Sequence, residues 1–409
     1  MAGRPPSAGP GDGEAPRAWL SPSVRGIGAA SLLADLGHEV PTALLPGFLT
    51  STLGAPAAAL GVIEGVADGL AGAARLAGGA LADDPDRRRA TAVGGYTTTA
   101  VLSALIGAAT SAWQVGVLRA ASWTARGLRV PARNALLADA APRAAYGRAY
   151  GFERAMDNLG AVGGPLLALA LVALVSVRGA ILLSVVPGLL AAAAIVYAIR
   201  RMQRLLPRER PPLRLRVRPV LRGRLGAVMT AVAAFEAGNV AATLLILRAT
   251  ELFTPVRGLE GATTVALLLY TGYNVAATLA SVPAGQVGDR RGMLRVLGAG
   301  IALFGAAYLL LGTTGASIPL LLLAFTAAGV AIACVETAEH AVVADLAPAE
   351  LRGSAFGLLA AVQSVGNLAA SAVAGLIWTL VSPAAAFAYA AAWMGLALLL
   401  LARVRRRPA

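Results

Sequence analysis

Between Arg119 and Pro165, ionisable side chains stand inside runs otherwise apolar enough for a lipid bilayer: Arg119, Arg126, Arg129, Arg133, Glu153, Arg154 and Asp157. An arginine at the centre of a bilayer-spanning helix costs about 2.5 to 3.5 kcal/mol on the insertion scale, so four on one helix must face protein, water or counter-charges. The stretch therefore belongs to the interior of a helix bundle, and the chain must build a polar core within a membrane.

Composition agrees with that environment. With 57% hydrophobic and 14% charged residues and a mean hydropathy of +0.70, the chain reads as an integral membrane protein, not a soluble enzyme. The basic residues behind its net charge of +14 are all arginine, most of them just outside apolar runs. That is a topology signal and not a nucleic-acid-binding face. The only cysteine, Cys334, lies in an apolar segment, so there is no disulfide framework. Residues 1–22, rich in Pro, Gly and charge and without the apolar run of a signal peptide, are expected to form a disordered cytoplasmic tail.

At about 20 apolar residues per crossing, twelve helices are expected, over 24–48, 55–82, 90–110, 113–140, 145–176, 179–200, 225–248, 262–287, 293–311, 318–345, 351–380 and 384–403. They group as an N-terminal bundle, 23–200, and a C-terminal bundle, 225–409, joined by a linker at 201–224. From Arg200 to Arg224 the connection carries ten arginines against Glu209 alone, as a cytoplasmic anchor or a contact for anionic lipid would. With both termini in the cytoplasm, Arg87 to Arg89, Arg143, Arg148, Arg290, Arg291, Arg295, Arg352 and Arg403 to Arg407 fall on that side. Only Arg178, Arg248 and Arg257 fall opposite, and the bias predicts a multi-pass inner-membrane protein in that orientation.

Two copies of one unit are legible. Asp139, Pro142, Gly147 and Gly151 recur 206 residues later as Asp345, Pro348, Gly353 and Gly357, and Gly79 and Asp83 recur at the same offset as Gly285 and Asp289. Twelve spans as six plus six, a basic central loop and twin G-x-x-x-D turns resemble the major facilitator superfamily of secondary transporters. The resemblance implies an all-α membrane fold of two pseudo-symmetric six-helix bundles and solute transport by alternating access.

In that superfamily a G-x-L-x-D-R-x-G-R-R pattern follows the second span. Gly285, Gly288, Asp289, Arg290, Arg291, Gly292 and Arg295 match it. The first copy keeps Gly79, Leu81 and Asp83 but places Asp84, Pro85 and Asp86 before Arg87, Arg88 and Arg89. An aspartate at a helix end can face the positive N-terminus of a neighbour while arginines pair with Asp139 and Asp345, contacts that exist only when those ends are together. Capping and topology alone would also account for these residues. The resemblance further places Arg119 where an arginine is linked to proton coupling. It matches Gly160, Gly164 and Pro165 to the first half of an antiporter pattern, which Ala168 and Leu169 do not continue. Close helix packing is the other reading of those small residues.

The resemblance puts the first, fourth, seventh and tenth spans around a central cavity, and these carry much of the intramembrane charge. Asp35, His38 and Glu39 repeat their spacing at Glu336, Glu339 and His340, each trio covering an arc of about 100°. Arg119, Arg126 and Arg133 share one face of the fourth span, with Arg129 to its side. Glu236 and Asn239 add the seventh span; Glu64, Asp68, Glu153, Arg154 and Asp157 add the second and fifth. Three readings stay open: interhelical ion pairs, proton coupling or substrate contact, and divalent-metal binding. The string Glu336-Thr337-Ala338-Glu339-His340 lacks the second histidine of a zinc-protease signature, so no intramembrane enzyme is expected; no cofactor is expected either, and a divalent metal stays the third reading.

The expected function is proton-coupled efflux of a small organic molecule by a monomeric antiporter. The alternatives are an uptake symporter for an anionic or zwitterionic solute, a divalent metal exporter, and a non-transporting sensor or scramblase.

Overall fold

The computed structural model describes residues 19–202, 214 and 216–406, all helix and connection with no strand among them. The first half comprises α1 (Pro22–Gly47), α2 (Ala57–Ala82), α3 (Pro85–Leu105), α4 (Ala112–Ala140), α5 (Tyr146–Leu174) and α6, in two pieces, Val177–Leu183 and Val185–Arg201. In the second half α7 starts as Gly223–Glu236, unwinds, and resumes at Ala242. The helix Ala242–Arg291 is interrupted at Gly258, whose φ of 69° suits glycine. Residues 242–257 complete α7, and 259–291 are α8. Then come α9 (Met293–Thr313), α10 (Ile318–Leu346), α11 (Arg352–Leu380) and α12 (Pro383–Arg406).

Eight helical runs among the described residues are long and apolar enough to cross a bilayer by length and composition. Outside that set are α1, α2 and α4; α1 and α4 carry much of the buried charge, and α2 adds Glu64, Asp68 and Arg75, none of them fully buried. A helix with that much charge does not read as a lipid-facing span, yet is stable once enclosed by neighbours.

Two boundaries differ from expectation for identifiable reasons. α3 begins at Pro85 and not at 90, because the Asp84 side chain accepts the backbone N–H groups of Asp86 and Arg87 and Pro85 fills the first helical position. The departure of the first turn copy from the second is thus a helix cap. The second copy turns instead through Gly292, with φ at 97°. The seventh span, expected to be continuous over 225–248, is open from Ala237 to Ala241. Most of the tail and of the linker, residues 1–18, 203–213 and 215, lie outside the described residues, and Val217–Val220 is a short helix.

The halves meet along α2 against α11 and α5 against α8, and glycines let the backbones touch. A Cβ on Gly79 would strike Gly353 and Gly357, one on Gly285 would strike Gly147, and one on Gly151 would strike Ser281. Farther from the chain termini, contact is lost along the same face of α2. A Cβ on Gly72 would lie 3.7 Å from Ser364, while one on Gly69, Gly65 or Gly61 would meet nothing within 4 Å. The two halves therefore form a cleft closed on the side of the termini and open on the other. Beneath it, one apolar cluster joins Tyr146 and Tyr150 of the first half to Val342 and Phe356 of the second.

Replacing Gly285 by Val is expected to force the closed end apart. Spin labels at Ala144 and Gln286, both exposed there, should move to longer distances, and an unchanged distance distribution would contradict the glycine contact as a closing element.

Candidate functional site

Two aspartates hold the closed end. Asp289, at the end of α8, accepts the backbone N–H groups of Gly147 (2.7 Å) and Arg148 (3.1 Å) and the Arg148 Nε (2.8 Å). Asp83, after α2, does the same at the start of α11, accepting the Ser354 N–H (2.8 Å) and hydroxyl (2.5 Å). Each carboxylate satisfies free N–H groups at the positive end of a helix from the opposite half. Burial holds the Asp83 carboxyl above the usual carboxylate range, against the opposing effect of its Ser354 hydrogen bonds.

Flanking pairs cross the same seam. Asp139 joins Arg88 of its own half to Arg352 of the other (3.1 Å), and Arg143 Nε lies 2.5 Å from Asp345. Hydrogen bonding to Asp345 raises the exposed Arg143 guanidinium above its ordinary value. Arg87 donates only its backbone N–H to Asp84, and Arg290 and Arg291 are exposed. Gly160 and Gly164 sit elsewhere, within the first half, where Cβ atoms would strike Leu32, Asp35 and Glu39 of α1. Pro165 lies inside α5 beside them.

Above the seam a charged network fills the first half. Arg133 contacts Glu153 (2.8 Å), Asp157 (3.3 Å) and Ser31 (3.0 Å), and Ser31 donates to Glu153 (2.7 Å). Arg154 contacts Glu153 (2.8 Å) and Asp157 (3.2 Å), and extends towards Glu336 of the other half at 3.9 Å. Arg119 is enclosed by Glu64 (2.9 Å), Thr42 (3.1 Å) and the face of Trp123, 3.4 Å from the ring centroid. Trp123 donates its indole N–H to Asp68 (3.0 Å). Asp35 lies 3.6 Å from Arg126 and 3.3 Å from His38, whose other nitrogen is 3.3 Å from Glu39.

Arg129, expected to the side of the shared arginine face, makes no ion pair among the described residues. It stacks on Tyr96 (4.0 Å) and lines a small enclosed cavity with His38 and Ser184.

The second half supplies carboxyls without arginines. Glu339 is fully buried; one oxygen accepts from Gln363 (2.8 Å) and the other has no hydrogen-bond partner among the described residues. Glu236, also buried, accepts from Asn239 (3.0 Å). The opening in α7 surrounds this pair, and other helices satisfy its backbone. Tyr308 accepts the Val240 N–H, Ser371 accepts the Ala241 N–H, and Asn367 and Tyr389 donate to the carbonyls of Asn239 and Ala237. Irregular backbone at membrane depth is tolerated where protein or a polar cavity covers it.

The trio on α10 does not converge. Glu336 points towards Arg154 and Glu339 towards Gln363, while the His340 ring packs between Tyr150 and Phe356 (5.8 and 6.1 Å between centroids). Among the described residues no group of three His, Cys, Asp or Glu side chains could hold a metal ion.

Sequence reading missed Gln363, Asn367 and Ser371. The Gly238-Asn239 pair was the available signal for the break in α7; nothing marked the others.

Two halves closing at one end by reciprocal caps over a charged cleft define a membrane carrier. The chain belongs to the Major Facilitator Superfamily, whose family pattern matches residues 27–270 and 226–409. It is a multi-pass transporter of that family and not an enzyme. The "Uncharacterized MFS-type transporter MJ1317" of Methanocaldococcus jannaschii is 26% identical over 372 residues, 90% of this chain and 92% of that one. The "Uncharacterized protein Rv2265" of Mycobacterium tuberculosis is 34% identical over 189 residues, and the match spans 46% of either chain.

Among solved structures, a bacterial homologue of the iron transporter ferroportin in an outward-facing state superposes with a TM-score of 0.74 at 16% identity, covering 94% of this chain and 100% of that one. The Escherichia coli fucose:proton symporter gives 0.73 at 16% identity over 94% and 98%. The human organic anion transporter MFSD10 gives 0.68 at 18% identity over 93% and 99%. At these identities the likeness concerns the fold.

Asp289→Ala should release the α5 cap at a cost of about 1 to 3 kcal/mol. A cysteine replacing buried Ser281 should then react with a hydrophilic maleimide about tenfold faster or more, with Asp289→Asn intermediate; equal rates in all three would exclude a closing role for the cap.

Glu153→Leu leaves Arg133 and Arg154 to share Asp157. A loss of about 3 kcal/mol, seen as a lower unfolding temperature in detergent, is expected from unpaired buried charge, and wild-type stability would show that the network does not hold the bundle together.

Proposed function

We propose that the chain exports a small organic molecule in exchange for protons across the inner membrane, as a monomeric antiporter working by alternating access. Glu339 carries this reading: it is a fully buried carboxyl with one unpartnered oxygen and no arginine beside it. Ionised and unpaired, such a group is costly in a low-dielectric interior. It therefore changes its charge as the cleft opens and closes around it, which is what coupling to protons requires.

The arginine bias supports placing both termini in the cytoplasm. The closed end is then cytoplasmic, and the cleft opens outward. Asp83 and Asp289, with Arg143 and Arg352, act as the cytoplasmic gate, because their contacts cross between halves and exist only in the closed arrangement, while Arg88 holds Asp139 from its own half. Arg154 links the gate side to the cleft through its reach from Glu153 and Asp157 to Glu336. Both caps and the whole cleft come from one chain, which supports a monomer.

Inverted vesicles carrying the protein and a pH-sensitive dye test the exchange. Solutes exported by the chain should move protons across wild-type membranes. Glu339→Gln keeps the size of the side chain and a partner for Gln363, and should remove the proton movement while leaving insertion intact. Proton movement at the wild-type rate in that variant, or none in wild type with a transported solute, would overturn the coupling.

A further inference from the structure

We infer that a cavity between the two halves, on the side of the termini, binds a phosphate-bearing anion and thereby favours the arrangement in which that end is closed. The inference rests on the halves separating there during transport, as proposed above, but not on the direction of transport or on protons.

The cavity measures about 550 Å³, within the size of sites that hold small organic ligands. Arg143 lines it from the first half, and Arg224, Arg291 and Arg295 line it from the second, together with Asp289 and Asp345. Because its walls come from both halves, it exists only while they are in contact. An occupant therefore binds the closed arrangement in preference to the open one.

The charge of the cavity is one-sided. Both aspartates are already engaged: Asp289 accepts from the N–H groups of Gly147 and Arg148 and from the Arg148 side chain, and Asp345 lies 2.5 Å from Arg143. Arg224, Arg291 and Arg295 make no side-chain hydrogen bond or ion pair among the described residues. Topology alone would place arginines on this side of the membrane, but it does not require three unpaired ones to converge on one cavity. Guanidinium groups arriving from separate helices suit a phosphate, whose several oxygens accept from more than one fork at a time.

The repeat supplies an internal comparison. At the 206-residue offset, Asp84, Pro85, Asp86 and Arg89 correspond to Arg290, Arg291, Gly292 and Arg295. In that first copy Asp84 caps α3 by accepting the N–H groups of Asp86 and Arg87, and Asp86 adds a second acid to the first turn. The depression there, of about 340 Å³, is lined by Pro85, Arg89 and Asp139. In the second copy no side chain caps α9, whose first residues, Met293 and Leu294, line the larger cavity. The first copy thus carries its own acids at the helix start, and the second leaves that place to an outside anion.

The purified full-length protein in detergent tests the site with glycerol phosphate, and with sodium chloride at equal ionic strength as the control. The phosphate ester should raise the unfolding temperature above the chloride control. The triple variant Arg224→Gln, Arg291→Gln, Arg295→Gln removes no side-chain contact present among the described residues. It should unfold at the wild-type temperature without ligand and bind the ester at least about tenfold more weakly, with Arg295→Gln alone giving a smaller loss. A cysteine replacing Ser281, in a Cys334→Ser background, reports closure: the ester should slow its reaction with a hydrophilic maleimide.

Nanodiscs of phosphatidylcholine, with and without phosphatidylglycerol, separate the two sources of phosphate. Slower labelling in phosphatidylglycerol without added ester assigns the site to a lipid headgroup, and slowing by the ester in phosphatidylcholine assigns it to a free organic phosphate. Either effect should disappear in the triple variant. No effect of the ester or of phosphatidylglycerol, equal effects in the triple variant, or binding that leaves the labelling rate unchanged would overturn the inference. Absence of solute-driven proton movement in inverted vesicles would refute the exchange reading and leave this one standing.

Discussion

Charge taken out of water must find a partner, and this chain is arranged around that requirement. In the first half the partners are built in. Arg133 and Arg154 share Glu153 and Asp157, Arg119 has Glu64 and the face of Trp123, and Asp35 has Arg126 and His38. Such pairs repay their desolvation only with good geometry, which ties α1, α4 and α5 into one rigid unit. In the second half Glu236 and Glu339 have amides in place of cations. The two halves thus differ: one is held by ion pairs, and in the other buried carboxyls are held by amides.

The seam follows the same logic at the membrane edge. Asp83 and Asp289 spend their charge on helix N-termini of the opposite half, so closing the end satisfies groups that water satisfies when it is open. Glycines let the backbones approach closely enough for the caps to form, and the divergence of α2 from α11 beyond Gly72 leaves the cleft.

Much of this was legible beforehand. The 206-residue offset located both caps, because a turn with an aspartate at a fixed distance from a glycine survives as sequence. The conflict between apolar runs and embedded arginines announced an enclosed polar core. The trio on α10 misled, since equal spacing on a helix gives nearby directions but not common partners: Glu336, Glu339 and His340 meet three different neighbours. Arg129, to the side of the shared arginine face, stacks on Tyr96. Both Arg75, bonded to Ser364 and the Ala360 carbonyl, and Arg154, 3.9 Å from Glu336, reach from the first half into the second.

By itself, then, the sequence determined the membrane class, the helix number, the two-fold repeat and the residues that had to be enclosed, because hydropathy and arginine placement act through solvent and need no partner to be read. The tertiary structure decided which charges neutralise one another, where α7 opens, and that Tyr270 and Tyr273 stack on each other. Those outcomes depend on which helix faces turn towards each other, and contacts between residues far apart in the chain leave no local pattern.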